Sequence, residues 1–293
     1  MSSTTLMNFP KWIPIDKETW SGSLCNNQNV SQLLRQNTEK VNWRKLSSNP
    51  NPKAIPILEK NLDKVKWDWL SANPNAISIL EKNLDKVDLF RLAQNPNPNV
   101  ISLLERNLDK VHWSALSGNP HAIPLLEKNM DKVYWVSLSM NPNAIHILEQ
   151  NMDKICWEYL STNPNAIPIL EQNLDKVNWE KLSKNPNAIS LLEQNMDKVN
   201  RISLSLNLNA IPILEKNLDK VYWFNLSSNP NAIHILEKNL NRVDWEMLSQ
   251  NPSAIHIIEQ NLEKVQWYYL AVNPNIITSD CEKGEEKSKL VPL

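Results

Sequence analysis

Between residues 41 and 277 one pattern of 22 residues, V-x-W-x-x-L-S-x-N-P-N-A-I-x-I-L-E-x-N-L-D-K, recurs ten times and begins an eleventh. A fixed period of that length specifies a solenoid, because so short a segment cannot close a core on itself and must lean on its neighbours. The units start at Val41, Val65, Val87, Val111, Val133, Ile155, Val177, Val199, Val221, Val243 and Val265, so the spacing is 22 except for two units of 24. Both exceptions lengthen the same stretch, Asn49-Pro50-Asn51-Pro52-Lys53 and Asn95-Pro96-Asn97-Pro98-Asn99, which marks it as a surface loop where length is tolerated.

The pattern predicts an all-α fold, an α-solenoid of about eleven 22-residue two-helix repeats. In the unit from Val133 to Lys154, the apolar residues Ala144, Ile145, Ile147, Leu148 and Met152 share one arc of a helical wheel, opposite His146, Glu149 and Gln150. The place of His146 is taken elsewhere by Pro56, Pro124, Pro168 and Pro212. Proline is tolerated only in a helix's first turn, so this second helix begins near Ala144 and runs to about Gln150. Asn143 is then the expected N-cap, and Asn151 the expected left-handed residue past the helix end. Asp153 is expected to cap the first helix of the next unit, with Met152 and Trp157 forming a hydrophobic staple that places the tryptophans in the core. By the same reasoning the first helix of this unit runs from about Lys132 to Met140.

Helices this short are unstable alone, so stability must come from interfaces between units, and the ends need modified repeats. Residues 1–10 are expected to be a flexible N-terminus, 11–40 a degenerate capping repeat, 41–277 the tandem repeats of a single domain, and 278–293 a disordered charged tail. A leucine-rich repeat has a similar period, but its L-x-x-L-x-L strand does not fit. Here the apolar positions before the turn are 1, 3 and 6 of the unit, and the slot for the second leucine holds Arg44, Asp68, Ser114, Glu158 or Glu180.

Composition narrows function mainly by exclusion. Lys plus Arg is 31 and Asp plus Glu is 32, so no net charge draws the chain to nucleic acid or an acidic membrane. Three glycines leave no loop to cradle a phosphate, so no nucleotide cofactor is expected. Cys25, Cys156 and Cys281 are widely spaced and suit a reducing compartment. No apolar run is long enough to span a membrane, and a soluble intracellular protein is expected. His146, His234 and His256 share one repeat position, but a helix spacing apart they cannot share a metal ion. The glutamate present in every unit fits stacking, through pairing with a lysine of a neighbouring unit, better than catalysis. No catalytic, cofactor-binding or metal-ligating residue is expected. The tryptophan ladder could stack bases, but it lacks a basic groove.

The L-S-x-N-P-N-A-I-x-L-L-E-x-N motif, with D-K-V-x-W following, resembles the short tandem repeats of proteins encoded by nucleocytoplasmic large DNA viruses, the giant viruses. The resemblance covers about 250 of the 293 residues and implies no activity and no site residue. It would place the protein in the host cytoplasm or the virion, where a structural, capsid-associated role is an alternative to a scaffold for a protein partner.

Information lies where the units differ. Residues one, two and five after the tryptophan change from unit to unit and include large apolar and aromatic groups, the composition of protein-binding hot spots. The candidate protein-binding stripe is Trp69, Phe90, Arg91, Tyr159, Phe224, Met247, Tyr268 and Tyr269; the alternative is that these residues pack between units. The unit from Val199 to Lys220 deviates most, with Arg201 for Trp and Leu208 for Pro, which suggests a local bend or a contact site.

Overall fold

The computed structural model describes residues 41–270 together with Asn273 and Asn275. The flexible start, the capping repeat and the charged tail expected at 1–10, 11–40 and 278–293 lie outside the described residues. Among the described residues there are 21 α-helices of four to six residues and no strand, in regular order: an α-solenoid of two-helix repeats. The strand that a leucine-rich repeat requires is not formed. The chain divides into two compact units, Met1–Ile155 and Cys156–Leu293. Both are built from the same repeat.

In the repeat that starts at Val133, the first helix is Trp135–Met140 and the second Ile145–Glu149. Between and after them the chain keeps turning. The Ala144 N–H donates to the Asn141 carbonyl, that of Asn151 to Leu148, and that of Lys154 to Asn151, so the linking turns keep their backbone groups paired. Leu138, Ala144 and Leu148 are fully buried, and Ile147 and Val133 nearly so. The same positions form the core of the other repeats, except that Val87 and Val199 are only half-buried. In the longer unit the alanine's place is taken by Val100, also fully buried, while Pro96, Pro98 and Asn99 of the extended turn lie in solvent. Pro56, Pro124, Pro168 and Pro212 fall in the first turn of their helices, as proline geometry requires.

The helix ends differ from expectation in four ways. Asn143 is not the N-cap of the second helix; Ala144 holds that place without a side-chain bond. Asn151 is not left-handed: its φ is −137° and ψ 48°, and its Nδ2 donates to the Ile147 carbonyl at 2.8 Å. All ten asparagines at this position cap the preceding helix in this way, satisfying a carbonyl that the short helix leaves unpaired. Asp153 lies in a separate 3-10 turn, Met152–Lys154, so the first helices start at the tryptophan position rather than three residues earlier. Their N-cap is the residue just before it: Asn42, Asp88, Asn178, Asn200 and Asp244 accept from the N–H three residues on. The staple thus loses its cap. The tryptophans from Trp43 to Trp245 are half-buried rather than core, and the cation that closes each unit lies over the ring, as Lys154 does over Trp135 at 4.9 Å and Arg242 over Trp223 at 4.3 Å.

What joins repeat to repeat is a buried polar ladder. The first asparagine of each N-P-N turn is almost wholly buried. Asn141 donates from Nδ2 to the Ser117 and Asn119 carbonyls of the preceding repeat, at 3.0 and 2.9 Å, and accepts the Asn143 N–H at Oδ1. Asn185, Asn207 and Asn251 do the same in the second unit. Only an amide offers two donors and an acceptor at this reach; an aspartate has no donor for the carbonyls. The second asparagine adds a bond, Asn143 Nδ2 to the Pro120 carbonyl at 2.9 Å. The serine that follows the buried leucine completes the set. Ser117 Oγ donates to the Trp113 carbonyl at 2.7 Å and accepts the Tyr134 N–H of the next repeat at 3.0 Å.

Candidate protein-binding face

The second helices present charge to solvent, and part of that charge is paired within the stack. Glu127 pairs with His146 at 2.8 Å, Glu193 with Lys216 at 2.7 Å, and Glu215 with His234 at 2.6 Å, each bridging consecutive repeats. Glu81 with Arg106 and Glu237 with His256 follow the same rule. The shared histidine position thus serves repeat-to-repeat pairing, and the recurrent glutamate pairs with histidine or arginine as well as with the expected lysine. Among the described residues no group of three His, Cys, Asp or Glu side chains is placed to hold a metal ion. No described helix is long and apolar enough to cross a membrane.

The outer flank of the first helices is different. Here stand Phe90, Tyr134, Met140, Ile202, Leu206, Tyr222, Phe224 and Tyr268, all substantially exposed large apolar side chains. They occupy three positions relative to the tryptophan: one before, one after and five after. The candidate stripe therefore separates into two kinds of residue. Phe90, Phe224 and Tyr268, one after the tryptophan position, are open to solvent, Tyr268 at 83%. Trp69, Arg91, Tyr159, Met247 and Tyr269, two after it, are half-buried.

The reason is a reach from each repeat to the one before. In several repeats the second residue after the tryptophan position reaches the residue one after that position in the preceding repeat. Arg44 lies over Trp69, Lys181 approaches Glu158 to 4.0 Å, and Asn225 Nδ2 donates to the Ile202 carbonyl at 3.0 Å. Tyr269 lies beside Glu246, whose negative charge holds the phenol above its ordinary pKa, with lesser contributions from burial, Tyr268 and Asp244. Packing between repeats, the alternative reading of the stripe, thus holds for one of its positions.

Sequence reasoning missed the residue before the tryptophan, where Tyr134 and Tyr222 are exposed. Inside a helix starting at Lys132 that position would be one more helical turn; as an extended N-cap it stands out from the flank. Ile202 and Leu206 belong to the deviant repeat, and with Tyr222 and Phe224 they form an apolar patch on the first helices of two consecutive repeats. The Tyr222 and Phe224 rings are 6.3 Å apart, and the Asn225 bond to Ile202 ties the two helices together. In the first unit the flank carries Arg44, Lys45, Lys66, Trp69, Phe90 and Arg91 instead. The chain matches no protein-family model, no curated protein and no solved structure.

Proposed function

We propose that this protein is a non-enzymatic repeat scaffold that docks another protein on the exposed flank of its first helices. One observation carries the reading: Ile202, Leu206, Tyr222 and Phe224 crowd two neighbouring first helices, between 43% and 51% exposed, while Glu193 and Glu215 on the second helices pair with the repeat that follows. Apolar side chains gathered at a position where the stack requires no particular residue are the composition of a binding patch rather than of a fold determinant. The tryptophan ladder does not compete with this reading, since a cation lies over most of its rings and leaves little open face for a base.

Affinity capture with the intact chain, compared with an Ile202→Asp, Phe224→Asp variant of unchanged circular dichroism, tests it. The variant is expected to lose the captured protein. Retention of the same proteins by both would overturn the proposal.

A further inference from the structure

The first unit carries a second arrangement on the same flank, with its own chemistry. Trp69 comes from the middle of three consecutive repeats, and a guanidinium from each neighbour rests on it: Arg44 with Cζ 4.5 Å from the ring centroid, Arg91 with Cζ at 4.9 Å. Stacking on a ring restricts a guanidinium while leaving its N–H groups available as donors. No carboxylate of the described residues forms an ion pair with either arginine. Lys45 and Lys66 stand exposed beside them. Of the two carboxylates on these helices, Asp88 is engaged in capping, accepting the Arg91 backbone N–H at 3.0 Å, and Asp68 is left to offset four cations. Phe90 lies next to Arg91, 42% exposed, its ring edge-on to His112 at 5.4 Å.

Resting on the reading of the first-helix flank as a docking surface, we infer that Arg44, Trp69 and Arg91 form a receptor for an extended acidic segment of a partner protein, with Phe90 receiving an apolar side chain of that segment. Two guanidinium forks held by stacking match carboxylates in bidentate geometry. Both lie within 5 Å of one ring, so they are at most about 10 Å apart, a span within which two alternate residues on one face of an extended chain, about 7 Å apart, fall. Charge decides the partner's sign. A nucleic acid fits less well, because a base could stack on Trp69 only by displacing a guanidinium from it.

Fluorescence anisotropy on the full chain tests the assignment, using a short fluorescein-labelled peptide with Glu at alternate residues and one Phe, its Lys-for-Glu counterpart, and oligothymidylate. The acidic peptide is expected to bind and the basic one not. The Arg44→Gln, Arg91→Gln variant should weaken acidic-peptide binding by about tenfold or more, while Lys60→Gln, Lys82→Gln, which removes equal charge from the second helices, should change it little. Circular dichroism melts check that both variants are folded. Absence of acidic-peptide binding, an equal loss in both variants, or tighter binding of oligothymidylate would each overturn the assignment. The Ile202→Asp, Phe224→Asp variant should bind the peptide normally, so failure of this site and failure of the apolar patch are separable.

Discussion

The buried N-P-N side of each repeat and the outer flank of its first helix are built on the same backbone, yet one is nearly invariant along the chain and the other is not. Asn119, Asn141, Asn185 and Asn207 each make the same two bonds to the repeat before. One residue after the tryptophan position, Arg44, Asp68, Phe90, Ser114, Val136, Glu158, Glu180, Ile202, Phe224, Glu246 and Tyr268 succeed one another without a single shared chemistry. The difference teaches that repetition in this chain marks the positions that hold the stack, and variation marks positions free to take on another task.

The sharpest way to break that division is to move one change from side to side. Asn185→Asp removes both donors from the buried Ser161 and Asn163 carbonyls and sets a carboxylate against them; a loss of about 3 kcal/mol or more is expected in urea unfolding followed by circular dichroism. Phe224→Ser on the flank should cost less than about 0.5 kcal/mol, and equal losses would erase the distinction.

A smaller effect should appear at the serine rung, where the chain contains its own exception. Ser183 Oγ donates to the Trp179 carbonyl and accepts the Asn200 N–H, but Ala93 at the equivalent place offers no hydroxyl. Ser183→Ala is expected to destabilise by about 1 to 2 kcal/mol, and Ala93→Ser to stabilise by about 0.5 to 1 kcal/mol. Opposite signs in the same unfolding assay would establish the rung as a bond rather than a packing preference.

The cation over each tryptophan should matter less. Lys154→Met is expected to cost about 0.5 to 1 kcal/mol, whereas Lys110→Met, in the unit where Leu89 replaces Trp, should cost nothing by this mechanism. The smallest effect is local. Glu246→Gln removes the charge that raises the Tyr269 phenol, so its titration, followed by NMR of the ring carbons, should move down in pH. In the native chain the sign follows directly: the carboxylate favours the neutral phenol, and that contribution to stability is present while the phenol keeps its proton and is lost as pH rises through its raised midpoint.

The repeat, the two helices, their core and the place of proline were legible in the sequence, because periodicity and proline sterics act within a few residues. The asparagines were not. A lone Asn143 or Asn151 is chemically able to cap a helix, turn left-handed or bridge two carbonyls, and in the ladder the deciding partner lies 22 to 24 residues away. The same ambiguity moved the start of the first helix to Lys132, which hid Tyr134 and Tyr222 while leaving Phe90, Phe224 and Tyr268 in view. Trp69, Arg91 and Tyr269 were found by composition, but their half-burial comes from a reach into the preceding repeat that no pattern within one unit contains.

The asparagine bonds all run one way: Asn73, Asn95, Asn119 and Asn141 in the first unit, and Asn185 to Asn273 in the second, donate toward the N-terminus. The two sides of a repeat are therefore chemically unlike: the side toward the N-terminus offers amide donors and the side toward the C-terminus offers carbonyls. Each repeat can thus join the stack in one orientation only, and the bonds give the array a polarity.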